Sequence, residues 1–293
     1  MEISPPVEVM DAQRDLVSRL LPDDKEEELF ARRGQFHHVV VGSERVVCFA
    51  RTEAAAARLP ARAAVLSTLA GLGLGFRTPR PLAQGGGPGT GEPPYLVLSR
   101  IFGAPLEDDT LEHPEAAEAA AEQLTELLSG LSVAGKDERV RAALPAAPAR
   151  QWQEFAAGVR AELFPLMSDG GRERAARELA ALDGVPPLTS AVVHGDLGGE
   201  NVLWVISGGM PRLNGVIDWD EVTLGDPAED LAAVGAAYGE KLLAQVLALG
   251  GWGDGSTVRR IAAIRGTFAL QQAFYAQRDG DEEELADGLA GYR

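Results

Sequence analysis

Cysteine and histidine are scarce in this chain. Its 293 residues include a single cysteine, Cys48, and four histidines. One cysteine permits no internal disulfide and is typical of proteins in a reducing cytoplasm. The histidines and the cysteine stand at scattered positions, which offers no cluster of the zinc-binding kind. We therefore expect a cytoplasmic protein without a structural zinc.

Long hydrophobic runs are also missing. No stretch reaches the roughly 18 apolar residues that a membrane helix requires, and the segment Met1–Pro6 has neither the basic nor the apolar region of a secretory signal. A hydrophobic fraction of 45% and a charged fraction of 24% are those of soluble globular proteins. The length is sufficient for two lobes and a large core. We expect no membrane contact.

Positive charge is in deficit. The chain has 27 lysines and arginines against 44 acidic residues, a net charge of −17. Because phosphate backbones bind through lysine and arginine, nucleic acid is not expected as a partner. The same imbalance suits a polycationic substrate drawn to an acidic cleft. Acidity that only keeps the protein soluble is the alternative reading.

One stretch of the sequence carries recognisable chemistry. It reads His194-Gly-Asp-Leu-Gly-Gly-Glu-Asn201, and the second of the two strands predicted after it, Leu213–Ile217, ends in Asp218. Runs of β-branched residues on both sides predict strands, so Asp196 and Asn201 are expected on a loop between strands. A His-Gly-Asp tripeptide alone is common, and a loop aspartate is more often a turn residue than a catalyst. The complete pattern is far more specific.

Phosphoryl transfer requires such a set of side chains. One carboxylate orients the attacking hydroxyl and accepts its proton, while an amide and a second carboxylate hold Mg²⁺ against the triphosphate. The protein-kinase catalytic loop has the pattern H-R-D-L-x-x-x-N and is followed by a metal-binding aspartate. Here Asp196 stands five residues before Asn201, and Asp218 stands seventeen residues after it. The spacing matches.

The remaining sequence predicts an α+β fold. Strands are predicted in the first third over Glu28–Arg33, His37–Val41, Arg45–Phe49 and Tyr95–Leu98, with a helix over Thr52–Leu72 that contains a proline. The glycine- and proline-rich residues 84–94 are predicted to form a flexible loop. Helices are predicted over Pro114–Leu131, Gln151–Leu163, Arg172–Leu182, Leu231–Leu249, Val258–Ala276 and Glu282–Leu289.

We expect a bilobal, protein-kinase-like chain from this order of elements. A small β-rich N-lobe would span residues 1–98, a hinge residues 99–105, and a larger, mostly helical C-lobe residues 106–293. Asp226 and Pro227 are typical of a helix N-terminus, so they are expected to begin a C-lobe helix. The adjacent His37 and His38 point to opposite faces of a strand and are interpreted as ordinary strand residues.

Three motifs resemble the aminoglycoside phosphotransferase family, whose members are antibiotic and small-molecule kinases with the protein-kinase fold. They are His194–Asn201, Val216-Ile-Asp-Trp219 and Gly225-Asp-Pro-Ala-Glu-Asp-Leu-Ala232, and Tyr95–Gly103 is similar to the hinge of that family. The resemblance extends over essentially the whole chain. It is closer still to the tuberactinomycin phosphotransferases, which act on viomycin and capreomycin, through runs such as Arg33-Gly-Gln-Phe-His-His-Val-Val40. Capreomycin is favoured, although the motifs do not decide between the two drugs.

The resemblance implies a role for each residue of the catalytic region. Asp196 would be the catalytic base for the acceptor hydroxyl. His194 would support the catalytic loop by hydrogen bonding, and Asp226 and Asp230 would cap the following helix and stabilise the loop. Asn201 and Asp218 would be the ligands of Mg²⁺.

A nucleotide site is implied in the first part of the chain. The backbone of Ser99 and Ile101 would meet the adenine edge at the hinge. The turn that contains Gln35 and Phe36 would place backbone N–H groups over the phosphates, although it holds only one glycine. ATP is the expected donor, with GTP as the alternative.

The chain departs from the kinase pattern at three positions. Gly195 replaces the arginine that precedes the catalytic aspartate in protein kinases. Cys48 falls where a strand lysine normally holds the α- and β-phosphates, and Arg62 falls where that lysine's glutamate partner would lie. Cysteine cannot supply the missing positive charge, so Arg62, or with less support Arg51, is expected to contact the phosphates. Otherwise Cys48 is a plain core residue, and phosphate binding rests on Mg²⁺ and the backbone.

The predicted function is phosphorylation of a hydroxyl on a cationic cyclic-peptide antibiotic. If the tuberactinomycin resemblance holds, the acceptor is a serine side chain of the drug, and the modification confers resistance. Asp220 and Glu221, just beyond Asp218, are the candidates for holding basic groups of the drug. Two alternatives remain: the same chemistry on an aminoglycoside, a macrolide or a metabolite such as choline, or a catalytically silent nucleotide-binding module, suggested by the missing lysine.

Overall fold

The computed structural model describes residues 13–34 and 36–293. Gln35, a predicted nucleotide-loop residue, lies outside the described residues. Within the described ranges, no helix combines the length and apolar character that a bilayer crossing requires.

The chain forms two compact units. The first comprises the chain up to Pro105 together with Val202–Ile206 and Leu213–Asp220. The second comprises Leu106–Asn201, Ser207–Arg212 and Glu221–Arg293. Two segments of the predicted C-lobe therefore group with the first unit, and one of them ends at Asp220.

The first unit is built on a five-stranded antiparallel sheet. The strands are β1 (Phe30–Arg33), β2 (His37–Val41), β3 (Arg45–Ala50), β4 (Pro81–Gly87) and β5 (Glu92–Ser99), in the order β1-β2-β3-β5-β4. Among its described residues, two α-helices accompany the sheet, α1 (Arg14–Leu20) and α2 (Glu53–Ala70). Leu16, Val17 and Leu20 of α1 pack with Val47 and Val97 of the sheet in a buried cluster. Apolar residues on one face of α1 thus form part of the core of this unit.

The predicted helix with an internal proline is confirmed. The hydroxyl oxygen of Thr52 accepts a hydrogen bond from the Ala55 N–H at 3.1 Å, which caps α2, and Pro60 lies inside the helix. The predicted flexible loop over residues 84–94 is wrong. Most of it belongs to β4 and β5, because glycines with positive φ, such as Gly86 at 74°, let the two strands approach closely. A Cβ atom on Gly86 would overlap the carbonyl oxygen of Pro93.

The second unit is mostly helical. Its helices are α3 (Pro114–Ala134), α4 (Glu138–Ala143), α5 (Gln151–Glu162), α6 (Asp169–Asp183), α7 (Ala228–Gly250), α8 (Gly255–Arg265), α9 (Phe268–Asp279) and α10 (Glu282–Gly288). The single helix predicted over Val258–Ala276 is divided between α8 and α9 at Gly266 and Thr267. The short α4 was not predicted.

Four short strands lie between α6 and α7 along the chain, and two of them contribute to the first unit through Val202–Ile206 and Leu213–Asp220. They are β6 (Ala191–Val193), β7 (Val202–Ser207), β8 (Met210–Val216) and β9 (Thr223–Gly225). β7 pairs with β8, and β6 pairs antiparallel with β9. The strand β9 was not predicted from the sequence. The α+β class expected from the sequence is confirmed.

Candidate functional site

The catalytic-loop motif follows β6 in the second unit. His194 and Leu197 are completely buried, whereas Asp196 between them is exposed. The loop is therefore anchored in the core on both sides of the aspartate. This arrangement presents one carboxylate at the surface on a rigid support.

Asp196 and Asn201 are in direct contact. The Asn201 Nδ2 donates to the backbone oxygen and to the Oδ2 of Asp196, each at 2.9 Å. Asn201 itself is only 6% exposed, so its orientation is fixed by its surroundings. Because Nδ2 is the donor in both bonds, the amide oxygen is the atom that Asn201 can offer to a cation.

His194 supports this loop through its ring. The Asp196 N–H donates to the Nδ1 of His194 at 3.2 Å. An acceptor Nδ1 requires a neutral imidazole whose proton is on Nε2. This bond is of the kind expected for a loop-supporting histidine.

Gly195 occupies a position that no other residue fits. Its φ is +86°, and a Cβ atom there would lie 2.8 Å from the backbone oxygen of Glu221 and 3.0 Å from its Cβ. The left-handed conformation and the close approach both require glycine. The arginine that protein kinases have before the catalytic aspartate is therefore sterically excluded.

Asp230 in α7 fixes the backbone of the same loop. Its Oδ2 accepts a hydrogen bond from the His194 N–H at 2.9 Å, and its Oδ1 accepts one from the Gly195 N–H at 3.1 Å. The side chain is almost completely buried. Burial raises the pKa of Asp230 to about 7, against the lowering effect of the two backbone hydrogen bonds.

The side chain of Asp226 bonds to the start of α7 and to Arg260. Its Oδ1 accepts a hydrogen bond from the Ala228 N–H at 3.0 Å and so caps the start of α7, as the sequence predicts. Its Oδ2 forms a buried ion pair with Arg260 of α8. Arg260 also donates to the carbonyl oxygen of Pro186 at 2.6 Å. These bonds join α7 to α8, and the bonds to the catalytic-loop backbone are made by Asp230.

Sequence reasoning missed Glu229. This residue lies between Asp226 and Asp230, is largely buried, and accepts a hydrogen bond from the Gln151 side chain at 3.2 Å. Burial, with the charges of Asp230 and Asp226, raises its pKa to about 7. Three acidic residues at the start of α7, Asp226 just before it and Glu229 and Asp230 in its first turn, were visible in the sequence. Their different environments were not.

Asp218 follows β8 in the first unit. Its φ of 61° makes it the one non-glycine residue with a positive φ among those the structure describes. Such a conformation is uncommon and is often found at functional positions. The neighbouring Trp219 fixes the turn, since its indole donates to the Val216 oxygen at 2.9 Å and its ring stacks on Phe76. The Asp218 carboxylate is thereby exposed at the end of a strand.

The first unit also contains Cys48 and Arg62, the two residues that the sequence places at the predicted phosphate-binding position. The Nε of Arg62 in α2 forms an ion pair with the Oδ1 of Asp220, and the guanidinium lies beside the Cys48 thiol of β3. The Oδ2 of Asp220 lies 3.7 Å from the Nδ1 of His37. Burial raises the pKa of the Cys48 thiol, and burial together with Arg62 lowers the pKa of His37 to about 4. Cys48 and His37 are therefore neutral groups beside a charged pair.

The predicted nucleotide loop is held by arginines. Arg51 donates its backbone N–H to the Phe36 oxygen at 3.0 Å, and its guanidinium donates to the Gly34 oxygen at 2.6 Å. Arg58 of α2 lies over the ring of Phe36, 5.7 Å from its centroid. Arg51 thus bonds to the backbone oxygens of both Gly34 and Phe36.

At the predicted hinge, Ser99 ends β5. Its N–H donates to the Arg80 oxygen at 2.8 Å, and its hydroxyl accepts the Arg80 N–H at 2.9 Å. The backbone N–H of Ser99 is therefore engaged within the first unit, and its carbonyl is the group suited to an adenine amino group. Ile101, two residues on, is buried.

The two candidate substrate residues lie in different surroundings. Asp220 faces Arg62 and His37, and its side chain is 18% exposed. The next residue, Glu221, belongs to the second unit and is exposed. The structure thus engages Asp220 in an internal ion pair and leaves Glu221 at the surface.

In the part of the chain that the structure describes, no group of three or more histidine, cysteine, aspartate or glutamate residues is arranged to hold a metal ion. Mg²⁺ in phosphoryl-transfer enzymes is typically held by one or two carboxylates and by the substrate phosphates. The oxygen atoms that Asn201 and Asp218 can offer are hard donors of this kind, and they fit Mg²⁺.

The sequence of this chain is similar to those of known phosphotransferases. The model of the phosphotransferase enzyme family matches residues 31–264. The viomycin phosphotransferase of Streptomyces vinaceus is 73% identical over 285 residues, which cover 97% of this chain and 99% of that protein.

Solved structures share the fold. The GDP complex of an aminoglycoside 2'-phosphotransferase IIIa variant has a TM-score of 0.81 at 19% identity and covers 95% of this chain and 94% of its own. A macrolide 2'-phosphotransferase type I has a TM-score of 0.70 at 21% identity, covering 100% and 99% of the two chains. At these identities the likeness concerns the fold alone.

Proposed function

This chain belongs to the phosphotransferase enzyme family, and on that premise we propose that it transfers the γ-phosphate of ATP to a hydroxyl of a tuberactinomycin antibiotic. The observation that carries the substrate class is the 73% identity, over nearly the full length, with a viomycin phosphotransferase. Viomycin is accordingly the first drug to test and capreomycin the second. A serine side chain of the drug is the proposed acceptor.

Asp196 is the proposed catalytic base. It is exposed on a loop whose backbone is fixed by Asp230, and Asn201 holds one of its carboxylate oxygens. A carboxylate fixed in this way can orient an acceptor hydroxyl in line with the γ-phosphate and take its proton. Small displacements of the loop would then reduce turnover.

The nucleotide is proposed to bind through residues of the first unit. The Ser99 carbonyl and the Ile101 backbone would contact adenine, the loop containing Gln35 and Phe36 would cover the phosphates, and Arg62 would supply positive charge to them. Asn201 and Asp218 are the proposed ligands of Mg²⁺, which when bound would neutralise charge on the phosphates. Structures of related phosphotransferases contain GDP, so GTP is a donor to be compared with ATP.

The charge of the chain suits a cationic drug. With a net charge of −17, the protein attracts a polycation, and the exposed Glu221 is the proposed contact for a basic group. Adding a phosphate dianion would weaken a drug that binds anionic RNA through its positive charge. We infer that phosphorylation of the drug in the cytoplasm makes a cell that contains this enzyme resistant to the drug.

Mass spectrometry of the drug tests the proposal. Viomycin and capreomycin would each be incubated with the protein, Mg²⁺ and either ATP or GTP, with kanamycin, a macrolide and choline in parallel. The expected result is the mass of one added phosphate on a tuberactinomycin, absent with an Asp196→Ala variant. Phosphorylation of kanamycin or the macrolide alone would support the alternative of the same chemistry on an aminoglycoside or a macrolide. If no compound gains mass while ATP still binds, the catalytically silent module becomes the better explanation.

A further inference from the structure

The starting point is an arginine at a core position of a helix. Along α2 the residues Leu59, Arg62, Leu66 and Leu69 follow one another at helical spacing, and the three leucines are almost completely buried. Arg62 therefore points with them toward the sheet, and its side chain is only 15% exposed. A charge at such a position requires compensation.

Asp220 supplies that compensation. It forms an ion pair with the Nε of Arg62, and the neutral His37 closes its other side at 3.7 Å. His37 is nearly buried, and its low pKa leaves it uncharged at neutral pH. The Asp220 charge is thus matched by Arg62 and not by the histidine.

The ion pair leaves part of the guanidinium unsatisfied. Among the residues that the structure describes, the buried Nη1 of Arg62 has no hydrogen-bond acceptor of good geometry. The nearby Cys48 sulfur is at best a weak acceptor. A buried donor without an acceptor costs free energy. This cost is explained if a bound anionic ligand accepts a hydrogen bond from Nη1.

We propose that Asp220 is a positioning residue, which holds Arg62 so that its Nη groups meet the α- and β-phosphates of the nucleotide. The usual lysine–glutamate pair would then be relocated: the cation comes from the helix instead of the strand, and the carboxylate comes from the segment just beyond Asp218. This inference rests on the proposed nucleotide-dependent function. It replaces the drug-binding role that the sequence suggested for Asp220.

The test compares the binding of ATP with that of adenosine, which has no phosphates. Calorimetric dissociation constants would be measured without antibiotic for the wild-type protein, Arg62→Met, Asp220→Asn and the double variant. Arg62→Met is expected to weaken ATP binding by about 10- to 100-fold, because a hydrogen bond to a charged group is lost. Adenosine binding should change by less than about twofold, which also shows that the variant is folded.

The coupling between the two residues distinguishes positioning from an independent role. Asp220→Asn should weaken ATP binding by about 3- to 10-fold, and Asp220→Glu should restore part of the loss. In the double variant the loss should equal that of Arg62→Met alone, because Asp220 acts through Arg62. Glu44→Gln and Arg19→Met remove exposed charges of the same types in the first unit and serve as matched controls.

Three results would overturn the inference. They are tighter ATP binding by Asp220→Asn, fully additive losses in the double variant, and a higher KM for the antibiotic with unchanged ATP binding. The last result would return Asp220 to substrate binding. Since nucleotide binding is measured without an acceptor, failure of the proposed antibiotic substrate would leave this test intact.

Discussion

The backbone of the proposed catalytic loop is bonded to one buried carboxylate, and replacing that carboxylate with an amide should separate stability from catalysis. Asp230 uses one oxygen for the His194 N–H and the other for the Gly195 N–H. Asparagine retains one oxygen and turns an NH₂ group toward the second N–H. In Asp230→Asn one buried N–H therefore loses its acceptor, at a cost of about 1–3 kcal/mol.

For a chain of this size, that cost corresponds to a decrease in Tm of about 2–6 °C. The consequence for catalysis should be larger, because the two N–H groups immediately precede Asp196. If Asp196 is the base, as proposed, its displacement by a fraction of an ångström is expected to lower kcat by about 10- to 100-fold. The KM values for ATP and for the acceptor should change little, since neither binding surface includes Asp230.

The measurements are steady-state kinetics well below the melting temperature, with thermal unfolding followed by circular dichroism. Arg260→Lys is the matched control. It weakens the buried ion pair with Asp226 and should lower the free energy of unfolding by a similar amount, about 1–2 kcal/mol. Arg260 joins α7 to α8 and does not contact the loop, so kcat should be retained. A normal kcat in Asp230→Asn, or an equal loss in Arg260→Lys, would refute this account of the loop.

Three further predictions follow from individual groups. Glu229 has its pKa raised to about 7, so its contribution to stability is complete below its ordinary pKa and is lost as the pH rises through about 7. The free energy of unfolding of the wild-type protein should therefore fall between pH 5 and pH 7.5, and Glu229→Gln should reduce that fall by about 1–3 kcal/mol. Urea denaturation at several pH values measures this difference. An unchanged pH dependence in the variant would contradict the raised pKa of Glu229. Gly195→Ala should abolish turnover or folding, because Cβ meets the Glu221 backbone; near-normal kinetics would show that the loop can shift. The buried Cys48 thiol should resist iodoacetamide at pH 8 in the native protein and react after unfolding, and rapid native labelling would show that the site is open.

The sequence alone was sufficient wherever a feature depends on neighbours along the chain. Asp196 and Asn201 stand five residues apart on one loop, and their contact follows from that spacing. The capping of α7 by Asp226 is equally local. Helical periodicity also predicted α3, α5 and α6 to within a few residues.

Local patterns failed where partners from distant parts of the chain decide the outcome. The glycines of residues 84–94 indicate a loop, but pairing with β3 makes a strand of Glu92–Ser99 and positive-φ glycines admit β4 beside it. Val258–Ala276 has one continuous helical pattern, and the break between α8 and α9 lies at Gly266 and Thr267. A hydrophobic pattern records which side of an element is buried, not what it meets.

The same division applies to the site. The motifs determined the family and the chemistry, because phosphoryl transfer needs specific side chains at short, fixed spacings. The sequence also predicted that Cys48 and Arg62 stand at the positions of the usual lysine and glutamate. Only the tertiary structure showed that Asp220 pairs with Arg62, and that Asp230 stabilises the loop by accepting the backbone N–H groups of His194 and Gly195. Ion pairs and buried hydrogen bonds depend on distances of a few ångströms between elements far apart in the chain, and those distances are set by packing.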